Sequence, residues 1–289
     1  MESIRVDCNA KINLYLRIVG QRDDGYHDIE TVFHSISLHD TLHLSPARSG
    51  ISLTCNEESV PLDASNTVVR AARIILEGTG RGLRVAIEKR IPIGAGLGGG
   101  SADAAGVLIG VNRLYGLDLP VSDLEGMAVE VGADVAFLVR GGCALGRGLG
   151  EQLESLKALP ALPVVLVVPP LSISTGWAYR SHKMVLTSDS SRLSMVSSAL
   201  NGGDSASLFD LLENDFESLV FEKYPLLRVL KGDLIRCGAR GALMTGSGPV
   251  VFGVFEKVGD AETCKGRFLD KGHKAILCRL ANSGVTVTR

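Results

Sequence analysis

Five glycines fall within the seven residues from Gly94 to Gly100, and Ser101 follows them at the head of an alanine-rich run, Ala102-Asp103-Ala104-Ala105. Consecutive glycines let backbone N–H groups converge on an oxyanion, and the unpaired N–H groups and dipole of a helix opening near Ser101 favour negative charge at the same point. The chemistry this could serve is phosphate binding. The rival explanation is packing, in which the glycines only let a helix lie close against a strand. Gly94, Gly96 and Gly99 also satisfy the G-x-G-x-x-G dinucleotide pattern, but Pro92 intervenes and the preceding strand is charged. No acid-terminated strand follows about 20 residues on, since Asp118 lies in a turn. The glycines are not followed by Gly-Lys-Ser/Thr, which excludes a Walker A loop, and neither His-Arg-Asp nor Asp-Phe-Gly occurs, which excludes the protein-kinase set.

Such a loop works only if a strand delivers it and a helix leaves it. Leu83 to Lys89 alternates as a strand, and Ala102 to about Tyr115 reads as a helix of small residues. Upstream, Ile4 to Cys8, Ile12 to Val19 and Ile29 to Leu38 predict an antiparallel start broken by the turn-rich Gly20 to Gly25, with short strands at Thr41 to Leu44 and Ile51 to Thr54. Asn66 is placed to cap a helix over Thr67 to Glu77, and another helix is expected from about Ser122 to Val131, ahead of a glycine-bearing stretch, Gly141 to Gly148. Next come a strand at Pro163 to Val168, helical patterns at Ala206 to Lys223 and Leu226 to Arg236, and strands at Ala242 to Thr245 and Val250 to Phe255. A helix near Asp260 to Leu269 and a strand at Ala275 to Leu280 follow. That order is the ferredoxin-like split βαβ arrangement. The expected fold is α+β in two domains: residues 1–155, a mixed β/α unit carrying the loop, and 156–289, the split βαβ unit.

The chain has 289 residues, 45% apolar and 21% charged, with 30 Lys plus Arg against 32 Asp plus Glu for a net charge of -2. No general field draws it to nucleic acid or to an acidic membrane, so an anionic ligand must be held locally. The apolar stretch from Ala158 to Ile173 contains four prolines and is shorter than the ~20 residues of a membrane span. Neither a secretory leader nor an obligate protein partner is expected. Cys8, Cys55, Cys143, Cys237, Cys264 and Cys278 show no close pairing in sequence, as in a reduced cytoplasmic protein. The histidines His34, His39, His43, His182 and His273 show no ligand spacing, so no metal held by fixed protein ligands is expected.

The run Pro92-Ile93-Gly94-Ala95-Gly96-Leu97-Gly98-Gly99-Gly100-Ser101-Ala102 resembles the phosphate loop of the GHMP small-molecule kinases. Ala10-Lys11-Ile12-Asn13-Leu14, Asp24-Gly25-Tyr26-His27 and Gly132-Ala133-Asp134-Val135 are similar to motifs of the branch that acts on a cytidylyl methylerythritol. Thr245-Gly246-Ser247-Gly248-Pro249 resembles the third glycine-rich motif, and together the matches span the chain in the expected order. The two-domain GHMP fold, ATP as phosphoryl donor and Mg²⁺ arriving with it are what the resemblance implies. It also implies phosphorylation of an acceptor hydroxyl on the non-mevalonate route to isoprenoid precursors. Other GHMP kinases, acting on mevalonate, homoserine or a sugar, are the alternative, and a binding protein that keeps the loop without transfer is a rival of another class.

By the same resemblance Asp134 is the base and Lys11 the cation beside it. A carboxylate pushed towards a dry interior can take a proton from an attacking hydroxyl if a cation keeps it ionised. Residue types alone favour a structural ion pair or two separate surface charges, and the resemblance reverses that preference. Pro92, Gly94 to Ala102, Asn66, Gly246, Ser247 and Gly248 are implied to hold ATP, with Asn66 near adenine. Asn13, Tyr26, His27, Thr175 and Tyr179 are implied to hold the acceptor. A pyrimidine needs a stacking partner and edge recognition, which Tyr26 and His27 could supply, although a tyrosine packed on its own hairpin is the alternative. Trp177 competes with Tyr179 for the second wall. Ala136 stands where the family usually carries proline, a departure expected to alter loop rigidity more than chemistry.

Overall fold

In the computed structural model, which describes residues 2–182 and 191–288, the four strands expected before residue 45 merge into two. They are β1 (Ile4–Gln21) and β2 (His27–Ala47), paired antiparallel. The polar residues that suggested breaks are absorbed as bulges between Asn9 and Lys11, Asn13 and Tyr15, and Ile18 and Gly20. A bulge bends a strand and re-aims its side chains. Strand β3 (Ile51–Cys55) leads to α1 (Thr67–Leu76), and β4 (Gly82–Glu88) pairs parallel with β3 and antiparallel with β2.

Helix α2 (Gly99–Tyr115) begins three residues earlier than expected and lies on this sheet. Gly106 and Gly110, one turn apart, face it: a Cβ at either would collide with Cys8 Sγ or with Leu44 Cδ1. Helices α3 (Val121–Val131) and α4 (Ala133–Arg140) pack beside α2. The glycine-bearing stretch that follows contains β5 (Cys143–Arg147), which joins β2 and is extended by β6 (Gln152–Leu156).

The second half runs β7 (Pro163–Val168), α5 (Thr175–Ser181), α6 (Ser191–Gly202), α7 (Ser205–Asp210), β8 (Glu213–Asn214), α8 (Phe216–Lys223), α9 (Pro225–Arg236), β9 (Gly241–Met244), β10 (Val251–Val254), α10 (Val258–Asp270) and β11 (Lys274–Arg279). Its sheet has the order β11-β7-β10-β9, antiparallel throughout, which is the split βαβ topology. The helix expected over 206–223 is interrupted, because β8 pairs with β1 and Asn214 turns inward. Its Nδ2 donates to the Met244 carbonyl at 2.6 Å and the Gly246 carbonyl at 2.9 Å, pinning the turn after β9. A last strand, β12 (Val285–Thr288), returns to pair with β1 in the first sheet. Among the described residues no helix is long and apolar enough to cross a membrane.

Candidate active site

A cavity of about 1080 Å³ is lined by residues from both halves of the chain. Every residue implied to hold ATP or the acceptor, together with Lys11 and Asp134, lines it except Leu97 and Ala102; Trp177, the rival of Tyr179, does not line it either. Leu97 and Ala102 are buried and act through backbone: the Leu97 carbonyl accepts from Lys11 N–H at 3.0 Å, and Ala102 N–H donates to Gly98 O at 2.8 Å. With that bond made inside the helix, the Ala102 N–H is not available to a phosphate.

The two explanations offered for the glycines divide among them. Gly94, Gly96 and Gly98 have φ of 63°, 77° and 71°, a left-handed backbone that costs other residues about 1–2 kcal/mol each. At Gly96 a Cβ would also collide with the Thr245 carbonyl oxygen. One at Gly98 would lie 3.1 Å from Lys11 Cγ and one at Gly99 3.0 Å from Ile91 Cγ2, whereas Gly94 meets nothing. Gly98 caps α2 and has no side chain to pair with the helix's first donors. The N–H groups of Gly99, Gly100 and Ser101 therefore stand at the mouth of a helix dipole in the cavity wall.

Beside Gly98 lies Lys11, whose side chain is 5% exposed. Its Nζ donates to Asn13 Oδ1 at 2.8 Å, lies 3.3 Å from Asp134 Oδ2 and sits 5.3 Å from the centre of the Phe33 ring. Lys11 and Asn13, two apart on β1, share a face of the strand. Asn13 is itself over-determined: Oδ1 also accepts from Gly246 N–H at 3.0 Å, and Nδ2 donates to Thr31 Oγ1 at 2.8 Å. Thr245 Oγ1 donates to Gly96 O at 3.2 Å, so the turn after β9 is tied to the glycine loop of the first half.

Asp134 corrects one expectation. It opens α4 with its side chain one-third exposed and not in a dry interior, so the dry member of the pair is the lysine. A carboxylate in the first turn of a helix, beside an ammonium, meets favourable charge from both.

Towards the other end of the cavity, Tyr26 is exposed beyond the turn, where its N–H donates to Asp24 Oδ1 at 3.0 Å. The His27 and Tyr179 rings meet at a centroid separation of 5.3 Å, and Tyr179 packs edge-on against Phe216. A base needs about 7 Å between its walls, twice a ~3.5 Å contact, so none fits between His27 and Tyr179 as they stand. Trp177 packs on Tyr224, with Lys223 Nζ 3.9 Å from its ring centre, and this leaves Tyr179 as the aromatic of α5 that faces the cavity. Thr175 Oγ1 and Ser247 Oγ, both from the second half, lie 2.9 Å apart at the cavity wall.

Asn66 caps α1 as expected, with Oδ1 accepting from Val68 N–H at 2.8 Å and Nδ2 donating to Pro61 O at 2.6 Å. Both ends of its amide thus have protein partners while the residue lines the cavity. Lys89, Asp103 and Arg180 also line the cavity, and the sequence reading gave none of them a role in the site. Lys89 Nζ lies 2.5 Å from Asp40 Oδ2 and 2.8 Å from Asp103 Oδ2, while Asp40 Oδ1 accepts from the Arg90 and Ile91 N–H groups. The cluster clasps both ends of the glycine loop. Burial, with Asp40 alongside, pushes the Asp103 carboxyl up to about 7 against the pull of Lys89. A lone acid in the otherwise apolar run 102–111 was the signal that could have exposed it.

The GHMP kinases N terminal domain family matches residues 66–142, and the GHMP kinases C terminal family matches 196–274. A 4-diphosphocytidyl-2-C-methyl-D-erythritol kinase from Chlorobium luteolum is 44% identical over 264 residues, covering 90% of this chain and 92% of its own. Its counterpart from Gloeobacter violaceus is 38% identical over 293 residues, covering 99% and 97%. The crystal structure of a 4-(cytidine 5'-diphospho)-2C-methyl-D-erythritol kinase superposes with a TM-score of 0.78 at 34% identity, over 96% of this chain and 99% of that one. Homoserine kinase from Cytophaga hutchinsonii superposes with a TM-score of 0.80 at 21% identity over 100% and 98%, a likeness of fold alone. Identity of this extent across nearly the whole chain shows that it belongs to the 4-diphosphocytidyl-2-C-methyl-D-erythritol kinase family of the GHMP kinases.

Proposed function

We propose that this chain transfers the γ-phosphoryl group of ATP to the 2-hydroxyl of 4-diphosphocytidyl-2-C-methyl-D-erythritol, giving the 2-phosphate and ADP, on the methylerythritol phosphate route to isoprenoid precursors. The observation that carries this reading is the Lys11–Asp134 pair, 3.3 Å apart in the cavity wall, with Lys11 against the glycine loop and the aromatic cluster in the same cavity. In the proposed reaction the substrate oxygen attacks the γ-phosphorus in line, its proton passes to Asp134, and the bond to the ADP oxygen breaks. Lys11 pairs with Asp134 and offsets charge on the transferring group. No covalent enzyme intermediate is involved, so the rate derives from positioning and charge stabilisation.

The donors of Gly99, Gly100 and Ser101 are proposed to receive the ATP phosphates, with Gly246, Ser247 and Gly248 closing over them, and Asn66 and its neighbours to flank adenine. Asn13, Tyr26, His27, Thr175 and Tyr179 are proposed to hold the acceptor. Mg²⁺ belongs to this proposal as a passenger on the nucleotide, where it neutralises phosphate charge; among the described residues no group of three metal-type side chains converges. A division near residue 155, with β12 crossing back, and a cytoplasmic location complete the reading. ADP release measured over a panel of alcohols tests it. The cytidylyl acceptor should turn over well ahead of homoserine and mevalonate, and equal turnover of all three would refute the assignment.

A further inference from the structure

Among the described residues three cationic side chains line the cavity: Lys11, Lys89 and Arg180. Two are committed. Lys11 is paired with Asp134 and bonded to Asn13, and Lys89 is paired with Asp40 and Asp103. Arg180, exposed on α5, makes neither an ion pair nor a hydrogen bond with any described residue. It directly follows Tyr179, whose ring meets His27. The guanidinium is turned back along the helix, its Nη1 3.1 Å from where a Cβ at Gly176 would stand, so any larger residue at 176 would crowd it. Gly176 and Thr175 line the cavity at that point, and Thr175 Oγ1 is bonded to Ser247 Oγ.

The acceptor proposed above carries a diphosphate between its cytosine and its reacting hydroxyl. The donors at the start of α2 serve the other substrate's phosphates, and the two committed ammonium groups are already balanced by carboxylates. An anion entering beside Tyr179 therefore meets the one lining cation that is uncompensated among the described residues. A guanidinium offers a planar fork that can bond two phosphate oxygens at once, which a point charge cannot match.

We propose that Arg180 binds the diphosphate of the acceptor and so makes the site selective for a cytidine diphosphate over a bare cytidine. The inference rests on the cytidylyl reading of the aromatic cluster. Competition against the acceptor by cytidine, CMP and CDP tests it, in the native enzyme and in Arg180→Ala and Arg180→Lys. The native enzyme should prefer CDP to cytidine. In Arg180→Ala, CDP should weaken roughly tenfold to hundredfold, as expected on losing a charge-assisted hydrogen bond, while cytidine and the KM for ATP stay nearly constant. Arg180→Lys should recover part of the loss, and added salt should weaken CDP in the native enzyme but hardly in Arg180→Ala. An unchanged CDP-to-cytidine ratio in Arg180→Ala would overturn the proposal while leaving the cytidylyl reading in place. If neither cytidine nor CDP competes with the acceptor in the native enzyme, the cytidylyl reading itself fails and this inference falls with it.

Discussion

At the proposed phosphate end of the cavity the backbone does the shaping, and at the proposed acceptor end side chains do. Gly94, Gly96 and Gly98 hold left-handed conformations, Lys11 N–H bonds Leu97 O, Thr245 Oγ1 bonds Gly96 O, and the Lys89 cluster clasps both flanks of the loop. At the other end Tyr26 is exposed, Arg180 is unbonded among the described residues, and the contacts are ring against ring. The chemistry to be served explains the contrast. Phosphate oxygens are met by N–H groups that every residue carries, so the loop needs a particular path more than particular side chains. Distinguishing one base or one alcohol from another requires particular side chains.

The largest effect is expected where the two ends meet. Asp134→Asn and Lys11→Ala should each lower kcat by roughly 10²-fold or more with modest changes in substrate binding, since each removes a charge that matters chiefly in the transition state. Steady-state assays on purified protein check this. Near-normal turnover by Asp134→Asn would remove it as the base.

Within the loop, Gly96→Ala and Gly94→Ala form a matched pair. Both have positive φ, but only at Gly96 would the added methyl meet backbone, the Thr245 carbonyl. Calorimetry should find ATP affinity lowered at least tenfold by Gly96→Ala, because overpacking costs about 1–3 kcal/mol beyond the φ penalty, and lowered only a few-fold by Gly94→Ala. Equal losses would mean that the contact between the halves does not shape the loop.

At the acceptor end, Tyr26→Ala should raise the KM for the cytidylyl substrate roughly tenfold, within the ~1–3 kcal/mol of a base stacked on an aromatic ring, and leave the KM for ATP alone. A rise in both would place the turn at the nucleotide side or make it structural.

The smallest effect concerns the clasp. The Asp103 carboxyl, raised from the ordinary 3.8 to about 7, binds a proton more readily in the folded chain than in the unfolded one. The stability it contributes is thus full below pH ~4 and is lost as pH rises towards ~7. Asp103→Asn removes that titration, so its melting temperature should fall less between pH 4 and 7 than that of the native protein. Parallel curves would show that Lys89 keeps Asp103 ionised throughout.

What the sequence determined by itself was whatever depends on neighbours along the chain. The glycine loop between strand and helix, the Asn66 cap and the βαββαβ order of the second half all follow from short-range patterns of turn residues and periodicity. The resemblance of five motifs supplied the pairing of Lys11 with Asp134, which no local pattern contains. Only the tertiary structure could join β1 and β2 through their bulges, bring β12 home to β1, break the helix at Asn214 and choose Tyr179 over Trp177 as the aromatic facing the cavity. It alone brought Asp40, Lys89 and Asp103 together across gaps of 49 and 14 residues. Each of these depends on which surfaces and charges meet after the chain has closed on itself. Composition and periodicity record what a residue prefers, and partners so far apart in the chain are decided by packing.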